Sequence, residues 1–100
     1  MGNWIQDMFG TDKALIGLCH FLALPGDPLY DEDGGMEKVY EAARTDVLAL
    51  QEGGIDGIHF SNEFSMPYML QAKLETVAAM AELIGALKRD VRGPFGCSVI

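Results

Sequence analysis

Two periodicities alternate along this chain. Residues 14–19, ALIGLC, form an apolar run of strand length, and it leads through His20 into FLALPGDPLYDEDGG, whose prolines and glycines exclude regular structure. From Met36 the period changes. Met36, Val39, Tyr40, Ala43, Val47 and Leu50 recur at steps of three and four, with Glu37, Lys38, Glu41, Arg44 and Asp46 between them, which predicts an amphipathic helix. Gly53 and Gly54 stop it, since a glycine past the last turn enters the left-handed conformation without a Cβ clash. Residues 56–60, DGIHF, then have strand length and no helical period, and Pro67 in SNEFSMPY ends regular continuation. A second apolar stripe runs through Leu74, Val77, Met80, Ala81, Ile84, Leu87, Lys88 and Val91, with Thr76 near its start. Gly93 and Pro94 close it, and FGCSVI opens a third strand that carries through to Ile100. Trp4, Ile5, Met8 and Phe9, at helical spacing, predict a short N-terminal helix. It is either a cap on the bottom of a barrel or a frayed terminus.

Strands alternating with helices imply an α/β fold with a parallel sheet and right-handed crossovers. The expected architecture is the N-terminal part of a (β/α)8 TIM barrel: about three parallel strands and two covering helices, plus the short N-terminal helix. Residues 1–100 are read as one incomplete barrel segment, because a closed barrel takes about 250 residues. Two helices do not cover both faces of a parallel sheet, so apolar surface and two open edges should remain. An isolated chain is therefore expected to self-associate through its sheet edges.

Composition narrows the partners. The chain is 49% hydrophobic, too apolar for disorder, and fifteen acidic residues against seven basic ones give a formal net charge of −8. No positive field holds a phosphate backbone, so nucleic acid is excluded; a small anionic ligand is not, because backbone N–H groups bind phosphate locally. Cys19 and Cys97 lack the spacing of a zinc or redox motif and read as reduced thiols of a cytoplasmic protein. The N-terminus lacks a signal-peptide pattern, and no apolar run approaches the ~20 residues of a membrane span.

KALIGLCHFLALPGDPLYD (13–31), ALQEGGIDGIHFSNEFSMPYM (49–69) and ETVAAMAELIGALKRDVRGPFG (75–96), with the closing SVI, resemble the start of the BtpA/SgcQ family, the SgcQ-like branch above all. The combination of His-x-x-x-Leu-Pro-Gly, Gly-Gly-x-Asp-Gly and Asn-Glu-Phe-Ser-x-Pro-Tyr carries the resemblance. It implies a TIM barrel longer than this chain. One branch of the family is linked to photosystem I in cyanobacteria, and SgcQ-like members are named for a sugar-utilisation gene neighbourhood, with no established reaction. Three positions depart from the family's pattern. Cys97 and Ser98 stand where relatives read Val-Asn, and His59 stands where they carry an apolar residue.

Barrel sites gather at the C-terminal ends of strands, which here means His20 and the pair Asn62 and Glu63. His20 suits a general acid/base or a metal ligand; the alternative is a ring bonded to the loop backbone. Glu63 suits a base or ligand and Asn62 an orienting amide, or both cap the turn. Asp27, between two prolines, is read as a turn former, Asp33 as a cap on the first long helix, Asp56 as a cap on the helix–strand turn, and His59 as a core or boundary histidine. The methionines read as packing residues. No phosphate cradle, nucleophile elbow or zinc signature is present, so cofactor and metal stay open. The sequence supports an enzyme on a small sugar-like or nucleotide-like metabolite, a non-catalytic biogenesis or assembly factor, or an inactive fragment.

Overall fold

The computed structural model describes residues 3–100. Helix α1 (Trp4–Phe9) is capped by Asn3, whose side-chain oxygen accepts from the amides of Ile5 and Gln6. Strand β1 (Ile16–His20), helix α2 (Gly35–Glu52), strand β2 (Gly57–Ser61), helix α3 (Leu74–Leu87) and strand β3 (Phe95–Ser98) follow. The strands form one parallel sheet in the order β1-β2-β3, with His20 level with Ser61 and Ser61 level with Ser98. The α/β alternation read from the sequence is the observed one, and three parallel strands joined through helices are consistent with the opening units of a (β/α)8 barrel.

One face of the sheet carries the core. Cys19, Phe21, Ile58 and Phe60 pack against Val39, Ala43 and Val47 of α2 and Ala79, Met80, Leu83 and Leu87 of α3. Phe60 stacks on Phe21, ring centroids 5.6 Å apart, and meets Phe95 edge-on at 6.0 Å. The other face alternates with the first along each strand. It presents Ile16, Leu18 and His20 of β1, Gly57, His59 and Ser61 of β2, and Gly96 and Ser98 of β3. Its lower end meets α1: a Cβ on Gly57 would sit 2.7 Å from the Phe9 ring, so the glycine makes the room that α1 occupies. Above that contact the β1 edge of the face is open, with Leu18 57% exposed, while Ser61 on β2 is buried.

Several local expectations shift. The left-handed glycine beyond α2 is Gly54, at φ +93°, while Gly53 stays helical. Asp33 does not cap α2, whose N-cap is Gly34 with no side-chain cap; Asp31 instead orders the turn before it, its Oδ1 accepting from the amides of Asp33 and Gly34 and its Oδ2 taking Lys38 at 2.8 Å. Asp33 contributes only its backbone because Asp31 lies the right distance upstream. Asp56 joins two strand entries, accepting from the Leu15 amide at 2.8 Å. On α3 the buried stripe is Thr76, Ala79, Met80, Leu83 and Leu87, while Leu74, Val77 and Ala81 face outward. The helix is apolar almost all round, so its period does not single out the packed side. It ends at Leu87 in a 3-10 turn, Lys88–Asp90, and Val91 is extended. Gln51 pins that turn, donating to the Asp90 carbonyl and accepting from the Arg92 amide, each at 2.7 Å. Strand pairing stops at Ser98, so Ile100 lies past β3 rather than within it.

Candidate functional site

The C-terminal ends of the strands collect three kinds of polar group. His20 ends β1 and is half-buried. Its ring makes no hydrogen bond within the described residues, and no buried side-chain nitrogen or oxygen there lacks a partner, so the ring nitrogens reach solvent. The alternative, a ring tied to the loop backbone, is not what the structure shows. Glu63, two residues past β2, is also half-buried. The Tyr68 hydroxyl donates to its carbonyl at 2.6 Å and lies 3.2 Å from its carboxylate. Desolvation first, and then the Glu63 carboxylate, push the Tyr68 hydroxyl above its ordinary value.

Asn62 lies between them in a different environment. It is 0% exposed, and both ends of its amide are engaged: Oδ1 accepts from the Ile100 amide at 2.7 Å and Nδ2 donates to the Ile100 carbonyl. It fixes the exit from β3 to the exit from β2. No hydrogen bond joins His20, Asn62 and Glu63 to one another among the described residues; the shared sheet end alone brings them together.

Beneath this rim the two strand-to-helix loops are clamped. Asp27 is buried, its Oδ2 accepts from the Leu24 amide at 2.7 Å, and the Ser65 hydroxyl donates to the same oxygen. Lys73 donates to the Gly26 carbonyl at 2.9 Å and lies 3.8 Å from Asp27 Oδ1. Asp27 is the expected turn former and, in addition, the tie between the β1–α2 and β2–α3 loops. The sequence singled out neither Ser65, Lys73 nor Tyr68; an Asp between prolines and a Ser in SNEFS are common turn residues, and only the parallel register shows that they meet.

The open face of the sheet holds a further polar pair: His59 Nε2 is 2.8 Å from Ser98 Oγ, both residues half-buried. Among the described residues no group of three or more His, Cys, Asp or Glu is placed to hold a metal ion, and no helix is long and apolar enough to cross a membrane.

Comparison with known proteins places the chain. The BtpA family profile matches residues 11–100. The chain is 50% identical over 98 residues to the sgc region protein SgcQ of Escherichia coli (strain K12), covering 98% of this chain and 37% of that protein. It is 36% identical over 88 residues to an uncharacterized protein of Thermococcus kodakarensis, covering 88% of this chain and 33% of that one. It is 33% identical over 93 residues to the photosystem I biogenesis protein BtpA of a Synechocystis species, covering 92% of this chain and 32% of that protein. The chain thus spans about a third of the length of the curated relatives it matches. No solved structure matches it.

Proposed function

The chain belongs to the BtpA family, and from that premise we propose that it forms the first part of a (β/α)8 barrel whose mouth takes a small sugar-like or nucleotide-like metabolite in the cytoplasm. His20 and Glu63 are its ligand-facing side chains, and Asn62 positions the β3 exit beside them. The observation that carries this reading is the unpartnered His20 ring, open to solvent at the end of β1. An imidazole there serves either as acid/base or as hydrogen-bond partner to a hydroxylated ligand. The Asp27 clamp supports it by holding the β1–α2 loop, which begins just past His20, to the β2–α3 loop.

Titration with D-ribose 5-phosphate and with adenosine 5′-monophosphate, followed by NMR shifts of the His20 ring, tests the reading. Saturable binding should weaken at least tenfold, about 1.4 kcal/mol, in His20→Ala and in Glu63→Ala. Absence of saturation by either probe, or equal affinity in folded variants, removes it.

A second reading has its own observation. Phe64, Met66, Tyr68, Met69 and Leu70 of the β2–α3 loop and Leu74 at the start of α3 are all exposed, an apolar patch suited to a protein partner. The Synechocystis relative bears a photosystem I biogenesis name. On that reading the chain is a docking factor; Met69→Ser with Leu70→Ser abolishes its role, and His20→Ala leaves it intact. If neither set of changes matters, the chain is an inactive segment.

A further inference from the structure

We propose that Ser98 is a nucleophilic serine, with His59 as its general base, and that the pair acts on acyl groups held in neutral esters. The inference goes beyond the metabolite-binding reading and does not depend on it.

The placement comes from the strand register. His59 sits in the middle of β2, facing the open side of the sheet, level with Leu18 on β1 and Gly96 on β3. Ser98 is two residues beyond Gly96 on the same face, so its hydroxyl leans over the imidazole, and Nε2 and Oγ are 2.8 Å apart. That distance is the one across which an imidazole takes a proton from a serine. Gly96 lies directly beside the ring: a Cβ there would stand at ordinary contact distance, 3.8 Å, from His59 Nδ1. Nδ1 has no partner among the described residues and reaches solvent.

Charge selects the substrate class. The open face from Leu18 to Ser98 carries no lysine or arginine, and the chain as a whole is at −8, so nothing there neutralises a phosphoryl anion. A neutral ester has no such requirement. Ser98 also lies at the C-terminal end of β3, in one row with Ser61 and His20, about 10 Å from His20 across two strand spacings.

The step balances without a co-reactant other than water. Ser98 Oγ bonds to the acyl carbon as its proton passes to His59 Nε2; the carbon–oxygen bond to the alcohol breaks, and the alcohol leaves with that proton. Water then adds to the acyl-serine, giving its proton to Nε2, and the acid departs as Ser98 recovers the proton.

The test is labelling of the chain with a biotinylated alkyl fluorophosphonate, in which the Oγ–P bond forms, fluoride leaves and the serine proton goes to His59. Cleavage after Arg92 gives a peptide, residues 93–100, whose one hydroxyl side chain is that of Ser98, so the adduct is located by mass. We expect an adduct on this peptide, its absence in Ser98→Ala, and a rate about 100-fold lower in His59→Gln, which keeps a hydrogen-bond donor near Oγ but accepts no proton. The low end of the range for general bases applies because no carboxylate orients Nδ1. A normal solvent deuterium isotope effect on the wild-type rate gives a second readout that needs no variant. No adduct on residues 93–100, an undiminished rate in His59→Gln, or no isotope effect overturns the proposal. Because the probe reacts without the metabolite, failure here leaves the role of His20 standing, and failure of metabolite binding leaves Ser98 standing.

Discussion

Replacing Asp27 with alanine isolates the clamp between the two loops. The carboxylate oxygen Oδ2 serves two buried donors, the Leu24 amide at 2.7 Å and the Ser65 hydroxyl. Alanine leaves both without an acceptor, and each orphaned buried donor costs about 1–3 kcal/mol, so a loss of about 3 kcal/mol is expected after partial relaxation. The Lys73 ammonium, 3.8 Å away and one-third exposed, adds little. Asp27→Asn keeps an acceptor for Leu24 and should lose only about 1 kcal/mol. Thermal melting followed by far-UV circular dichroism reads the difference, since a domain of this size moves roughly 4–8 °C per kcal/mol. Ser65→Ala should cost about 1 kcal/mol alone and almost nothing added to Asp27→Ala, because the partner has already gone. An Asp27→Ala chain melting within 2 °C of the wild type, or full additivity of the two changes, refutes the clamp.

Gly57→Ala places a methyl 2.7 Å from the Phe9 ring and should destabilise by about 1–3 kcal/mol, with Phe9→Ala in the same chain relieving most of it; additive losses refute the contact. Lys38, and after it the Gly34 amide, hold the Asp31 carboxyl below its ordinary 3.8. With the folded value lowered, the contribution to the α2 entry is present above the ordinary value and is lost as pH falls through the folded one. A carboxyl ¹³C titration should show a midpoint below 3.8 that rises in Lys38→Ala, and an unmoved midpoint refutes the pairing. The isolated chain, with both sheet edges and Leu18 uncovered, should elute as dimers or larger species in light-scattering chromatography; a sharp monomer refutes that.

What was legible in the sequence was whatever depends on near neighbours. The strands at ALIGLC, DGIHF and FGCS and the helix from Met36 follow from period and from glycine stops, and observed ends differ by a few residues. His20 was legible as a strand-end histidine because strand ends are set locally. The contacts that define the site were not, since they join residues far apart in the chain: Asp27 to Ser65, Asn62 to Ile100 and His59 to Ser98. Each is created by the in-register parallel pairing of strands, which no local pattern encodes. Asn62 shows the difference well. Its residue type and place suited a ligand, yet register sets it facing the Ile100 backbone. His59 and Ser98, read separately as two departures from the family pattern, touch once the strands are aligned.

The uneven covering of the sheet gives the molecule a built-in reporter. Cys19 is sealed under α2, its thiol donating to the Ala43 carbonyl at 3.8 Å and pushed up to about 12 by burial first and then by Asp46. Cys97 lies on β3, level with Phe60 on the helix-bearing face, and it is exposed. A thiol reagent therefore modifies one site in the folded chain, and its rate at Cys97 is a clock for whatever comes to lie over β3. Added neighbours that cover the strand slow the reaction in proportion to their occupancy, whereas unfolding releases Cys19 and doubles the thiols counted.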